Sequence, residues 1–209
     1  RRSMAEAGVD VSVICSIATK PTQVEAIFQW SRQIAGRDII ALPSVHPETP
    51  DAEEWIHRFA EAGMRGVKLH PMYQEFALDE SRMDRLYDAL TDHGLIVEIH
   101  TGFDIAFGDD DSASVTRIVN VIRRHPHMRL VCTHLGAWKA WDQVERHLVG
   151  TGVYMETSFS IDWAGPDVAE RIIRKHGTDR VMFGTDWPWA GQSEQLGLIR
   201  SMGLSDSEK

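Results

Sequence analysis

With 209 residues and 43% apolar side chains, the chain is long enough to bury the core of one full domain. Its 31 acidic and 22 basic residues leave a net charge of −9, which repels a phosphate backbone and argues against a nucleic-acid partner. No apolar run approaches the roughly 18 residues of a membrane span and the N-terminus lacks a secretion-signal core. A cytoplasmic protein is therefore expected, with Cys15 and Cys132 as reduced, buried thiols.

In chain order, strand-like and helix-like segments alternate. RRSMAEAGVD reads as the end of a helix, and Val11–Ile17 as a first strand. Pro21 and Thr22 open a helix whose apolar face is Val24, Ile27, Phe28 and Ile34, and Ile39–Val45 is the second strand. Thr49, Pro50 and Asp51 open the helix of Trp55, Phe59 and Met64, before the strand Gly66–His70. Met83, Leu86, Tyr87 and Leu90 share the next helix face, stopped by Gly94, and Leu95–His100 follows. Ser112 caps a helix of Val115, Ile118, Val119 and Ile122, ahead of the strand Leu130–His134. Trp141, Val144 and Leu148 line a helix closed by Gly150, and Val153–Ser158 is the sixth strand. Val168, Ile172 and Ile173 line the last clear helix, closed by Gly177, and Val181–Asp186 is the seventh strand. Each strand is apolar enough to be covered on both faces, as parallel strands are.

Strands recur every 23–35 residues or so, the length of one βα unit. With no linker composition and no GxGxxG, the pattern predicts a single (β/α)8 TIM-barrel domain over residues 1–209 rather than a dinucleotide-binding sheet. Such a barrel needs eight strands. Seven are visible, so the first strand is expected upstream of Arg1 and the last helix is expected to be cut short.

The ten histidines sort by position. His57 and His147 fall on helices, while His93, His125, His127 and His176 fall near helix C-termini or in the loops beyond. His46, His70, His100 and His134 close the runs IIALPSVHP, GVKLHP, IVEIHTG and LVCTHLG, and Asp186 closes RVMFGTDWP. Strand C-terminal ends are the face on which barrels build active sites. Period-two alternation puts Glu98 and Ile96 on the inner face with His100, and Cys132 and Leu130 with His134. It likewise puts Lys68 with His70, and Gly184 and Met182 with Asp186. Neutral imidazoles and one carboxylate on different strands suit a divalent ion, zinc by donor type, at about 2.0–2.2 Å. Lys68 has three readings: an ion pair with Glu98, a contact to a substrate carboxylate, or a carboxylated lysine bridging two metals. Glu156 is expected to point inward as well, and Asp109–Asp111 reads as a solvated segment before a helix.

The phrases GVKLHP, EIHTG, CTHLG and FGTDWP together resemble the later strands of amidohydrolase-superfamily barrels. The likeness is to the amidohydrolase-related branch, which holds small metal-dependent hydrolases and the aminocarboxymuconate-semialdehyde-decarboxylase type. It implies that His100 is a metal ligand, that His134 binds the metal or contacts its water, and that Asp186 is both ligand and general base. Lys68 matches the place where some superfamily members carry a carboxylated lysine, although this branch usually manages with one metal. The family's HxH pair on strand one has no counterpart. His125 and His127 have its spacing but precede a strand, at the wrong end of the barrel, so the pair is expected upstream of Arg1.

The expected activity is hydrolysis of an amide or lactone bond in a small acidic substrate, through a water activated by metal. Asp186 and His134 act as catalytic residues, and Lys68, His70 and Trp187 bind substrate. The alternative is a non-oxidative decarboxylase on the same barrel, and a third reading is a non-catalytic, ligand-binding barrel. The expected partners are a small molecule and, at most, further copies of the chain.

Overall fold

The computed structural model describes residues 1–209. Its elements run α1 (Arg2–Ala7), β1 (Ser12–Cys15), α2 (Val24–Ile34), β2 (Ile39–Leu42), α3 (Ala52–Glu61), β3 (Gly66–Leu69), α4 (Asp84–Asp92) and β4 (Ile96–Ile99). They continue with α5 (Val115–Arg124), β5 (Arg129–Cys132), α6 (Trp141–His147), β6 (Tyr154–Glu156), α7 (Ile161–Ala164), α8 (Pro166–His176), β7 (Val181–Met182) and α9 (Gln192–Ser201). All seven strands lie where the sequence placed them, each shorter than its apolar run. Helix α7 is too short for an apolar period and was not expected, and α9 is the last helix, expected without bounds.

Local chemistry explains the helices. In α5 the apolar positions Val115, Ile118 and Val121 are buried along one face, and Arg123 and Arg124 sit in the last turn, where the helix dipole favours cations. Helix α8 starts with Pro166 at its first position, ends on Arg174, Lys175 and His176, and stops at Gly177 with φ of 108°. These faces pack on one side of the sheet in a single apolar cluster. Val67, Leu69, Val97, Ile99, Leu130, Cys132 and Met155 supply its strand side; Phe59, Leu86, Ile118, Val144 and Ile172 supply its helix side. Each such buried side chain contributes about 1.5–3 kcal/mol.

All pairing is parallel, in two ladders, β1-β2 and β3-β4-β5-β6-β7. They meet through Lys68 N–H, which donates to the Pro43 carbonyl at 2.8 Å, and Ser44 Oγ, which donates to the Lys68 carbonyl at 2.8 Å. Gln74 closes the joint. Its amide nitrogen donates to the carbonyls of Ala18 and Val45, both at 3.0 Å, and its oxygen accepts from His70 N–H at 2.8 Å. One fully buried side chain thus ties the C-terminal ends of β1, β2 and β3. At the other side β1 and β7 do not pair, and Val11, Val13, Met182 and Phe183 are exposed there. The seven strands fill a (β/α)8 barrel with one place open, between β7 and β1.

Register corrects one inference about faces. Leu130 and Cys132 stand opposite Val97 and Ile99 and share their helix-facing side, so His134 does not lie on an inner face with them. The strand ends at Cys132, and the chain then turns through His134 and Leu135 at φ of 57° and 55°, which is how the imidazole reaches the mouth. The inner face instead carries Lys68, Glu98, Val131 and Glu156.

Gln74→Leu should leave the Ala18 and Val45 carbonyls and the His70 N–H without their partner and lower stability by about 3 kcal/mol, read as a fall in urea midpoint at unchanged slope. A second expectation concerns pH. Arg171 grips Glu145 through two 2.8 Å bonds and, with Lys175, lowers the carboxyl to about 2. A depressed carboxylate stabilises the fold above its unfolded value, about 4.3, and that contribution disappears as pH falls toward about 2. The stability difference between wild type and Glu145→Gln should therefore be constant near neutrality and vanish across that window.

Candidate metal centre

Three imidazoles gather where β3, β4 and β5 end. The rings of His70 and His100 stack at 4.1 Å with 14° between planes, and those of His100 and His134 meet at 4.8 Å and 66°. All three are buried. Burial pushes His70 down to about 3 and His100 well below the ordinary imidazole value; His134 is lowered by burial too. Neutral imidazole is the form that binds metal.

The proton positions follow from the acceptors. His100 Nε2 lies 3.1 Å from the Phe103 carbonyl and His134 Nδ1 lies 3.0 Å from the Ser158 carbonyl. A carbonyl only accepts, so each neutral ring commits its single N–H there. The remaining nitrogens, His100 Nδ1 and His134 Nε2, face each other at 3.1 Å with a lone pair on each. Two lone pairs at that distance repel unless a cation lies between them. Two nitrogens bound to one ion at about 2.0–2.1 Å each are separated by about 3 Å. The donor set fits a divalent metal.

A second grouping competes with this one. His70, His100 and Asp104 each offer a ligand atom, all within 4.8 Å of one another; Asp104 Oδ2 lies 3.3 Å from His70 Nε2 and 3.9 Å from His100 Nε2. Lone pairs lie in the ring plane, however, and in stacked rings they run side by side rather than converging. We therefore read Asp104 as the acceptor that orients His70, and the His100–His134 edge as the metal-binding side. His70 Nδ1 then remains a buried acceptor without a protein partner.

The other expected residues are placed as follows. Asp186, at φ of 54° beyond β7, lies close enough to His134 for each to shift the other's titration. Its carboxyl is raised by burial and pulled back by His134 and Lys68, although the residue as a whole borders the open side of the mouth. Lys68 Nζ donates to Glu98 Oε1 at 3.3 Å, one layer below the histidines, which is the ion-pair reading of its three. Trp187 stands on the rim, 67% exposed. His46 is not brought into the cluster: its Nδ1 accepts from Glu48 N–H at 3.1 Å within a turn. His125 is held between Asp84 and Asp88 at 2.9 and 3.0 Å on the outer layer.

Asp104 was missed in the sequence because it sits in an irregular loop with no period to flag it. The aromatic loops were missed too. Tyr73 packs edge-on against His70 at 4.6 Å and Phe107 against Tyr73 at 4.9 Å. Trp138, Phe159 and Trp163 form a second group at 5.5–5.8 Å, joined to the site by the Trp138 backbone N–H, which donates to the Thr101 carbonyl at 3.0 Å.

Residues 4–209 match the Amidohydrolase family. The chain belongs to that family. It is accordingly a metal-dependent enzyme of the amidohydrolase superfamily, as its strand-end phrases implied. No curated protein matches it by sequence. Among solved structures it is similar to 5-carboxyvanillate decarboxylase LigW from Sphingomonas paucimobilis, with a TM-score of 0.75 and 16% identity over 99% of this chain and 77% of that one. LigW2 from Novosphingobium aromaticivorans, with bound manganese and 3-methoxy-4-hydroxy-5-nitrobenzoic acid, gives 0.79 and 16% over 99% and 75%. 2,6-Dihydroxybenzoate decarboxylase from Rhizobium gives 0.72 and 11% over 99% and 82%. At these identities the likeness is one of fold. No helix of the chain is long and apolar enough to cross a membrane.

His100→Ala and His134→Ala should each lower the divalent-metal content of the purified protein at least tenfold, measured by elemental analysis after dialysis. His46→Ala should leave it unchanged.

Proposed function

We propose that the protein is a metal-dependent, non-oxidative decarboxylase of a small aromatic acid. The observation that carries this reading is the chemistry of the mouth above the imidazole pair. Of the large apolar side chains left exposed, Tyr73, Phe103, Ile105, Phe107, Trp187 and Trp189 lie on loops that follow strands, all but Ile105 aromatic, and Trp163 lies on the short helix α7 that follows β6. Exposed aromatic surface concentrated at one rim marks a binding site for a flat apolar body. The solved decarboxylases of like fold support the same reading, and they move the preference from hydrolysis to loss of carbon dioxide.

His100 Nδ1, His134 Nε2 and Asp186 would hold the ion, which supplies positive charge for the substrate's carboxylate and a neighbouring oxygen. The donor set suits manganese as well as zinc. The rim aromatics stack on the substrate ring and exclude water. Asp104 faces His70 Nε2, and the His70 ring stacks on His100 and steadies it. Asp186, at the mouth beside His134, delivers a proton to the ring carbon. The carbon–carboxylate bond breaks, its electron pair stays on the carbon, and carbon dioxide leaves.

Hydrolysis of an amide or lactone is the second reading, favoured by the place of Asp186 beside His134, where its carboxylate can take a proton from an attacking water. A panel of hydroxybenzoates, lactones and amides offered to the manganese-loaded protein separates the two. Carbon dioxide release from an aromatic acid is expected, abolished by chelation and reduced by about 10²–10⁴ in Asp186→Asn. Turnover of lactones or amides with no carbon dioxide from any acid overturns the first reading in favour of the second.

A further inference from the structure

Glu156 closes β6 on the inner face and is buried with no cation bonded to it. A bare carboxylate in such a place needs another reason to be there. Its oxygens accept three hydrogen bonds: Oε1 from His134 N–H at 2.8 Å and from Ser158 Oγ–H at 2.7 Å, and Oε2 from Ser158 N–H at 2.7 Å. The Ser158 hydroxyl also lies 3.2 Å from His134 Nδ1. Because Glu156 takes the hydroxyl proton, Ser158 Oγ presents only lone pairs to the imidazole, and the Ser158 carbonyl beside it does the same. Both groups therefore demand a proton on Nδ1 and leave His134 Nε2 bare, facing His100.

We infer that Glu156 is a positioning residue that, through Ser158, fixes His134 in its Nδ1–H tautomer and keeps Nε2 free for metal. The inference rests on the reading of the site as a metal centre. The same carboxylate also holds His134 N–H, and so the left-handed turn that brings the ring off the helix-facing side of β5. Neighbouring sequence accommodates it: a Cβ at Gly184 would come within 1.8 Å of Glu156 Oε2, so β7's extension must be glycine where it passes the carboxylate.

Glutamine at 156 cannot substitute. In either orientation its NH₂ faces a backbone N–H, and with the NH₂ at the Oε1 position the amide donates to Ser158 Oγ, which is then free to donate its own proton to His134 Nδ1. The hydroxyl would compete with the Ser158 carbonyl for that nitrogen, and the Nδ1–H tautomer would no longer be fixed.

Two variants test this. Glu156→Gln changes the chemistry of the group, and Gly184→Ala displaces the carboxylate without changing it. Two-bond ¹H–¹⁵N spectra of the metal-free protein report the His134 tautomer, and competition with a chromophoric chelator reports Zn²⁺ affinity. Wild type should show Nδ1–H. Both variants should lose it in part or whole and bind Zn²⁺ about 10–100-fold more weakly, with far-UV circular dichroism unchanged. If Glu156→Gln does not fold, Gly184→Ala decides alone. A folded variant that keeps the Nδ1–H tautomer and wild-type Zn²⁺ affinity overturns the inference. Should wild type bind no Zn²⁺, the metal-centre reading fails, while the tautomer comparison still decides the role of Glu156.

Discussion

Two imidazole nitrogens facing each other at 3.1 Å, with both ring protons already committed to carbonyl oxygens, are the constraint on which the rest of the site depends. Neutral rings cannot hold that contact favourably by themselves. Either a shared proton or a cation must lie between them, and burial has pushed both rings away from the protonated form. The parallel sheet makes the meeting unavoidable: β4 and β5 are adjacent and in register, so residues just beyond their C-terminal ends emerge side by side.

Backbone strain is distributed with the same logic. The non-glycine residues at positive φ are Asp51, Glu75, His134, Leu135, Lys139, Phe159 and Asp186, and every one lies between a strand and the helix that follows it. The returns from helix to strand make their left-handed turns with glycine instead, at Gly63, Gly94 and Gly150 for example. A side chain held in that region costs roughly 1–2 kcal/mol. At the helix-to-strand face no side chain is needed, so glycine avoids the cost. At the mouth the side chain itself is required, and His134 and Asp186 carry the strain because nothing smaller could bind.

This division also marks what could be read from the sequence. The apolar runs located all seven strands, and helical spacing located α2 to α6 and α8, because burial on the sheet imposes a period. The strand-end rule picked out His100 and His134, which the structure brings together, and His70 beside them. The same rule also selected His46, which serves a turn, since position on a strand says nothing about what lies opposite. Period-two extrapolation failed for His134, because a strand that ends two residues earlier no longer governs which way a side chain points. Asp104, Ser158 and the aromatic loops had no period at all. Their positions are set by tertiary contacts such as Trp138 N–H with the Thr101 carbonyl, which no local pattern encodes.

Beneath the imidazoles the barrel interior holds charge as well as apolar bulk. Lys68 pairs with Glu98, which also accepts from Cys15 Sγ at 3.2 Å, so that pair is close to neutral. Glu156 and Asp186 are left over; burial raises both, and repulsion from Glu98 adds to each. Two unneutralised carboxyls flanking neutral imidazoles create a negative potential at the point where the two lone pairs converge. In a medium of reduced dielectric such a potential acts strongly at short range. A dication held there lowers the energy of the lone pairs, of Asp186 and of Glu156 together.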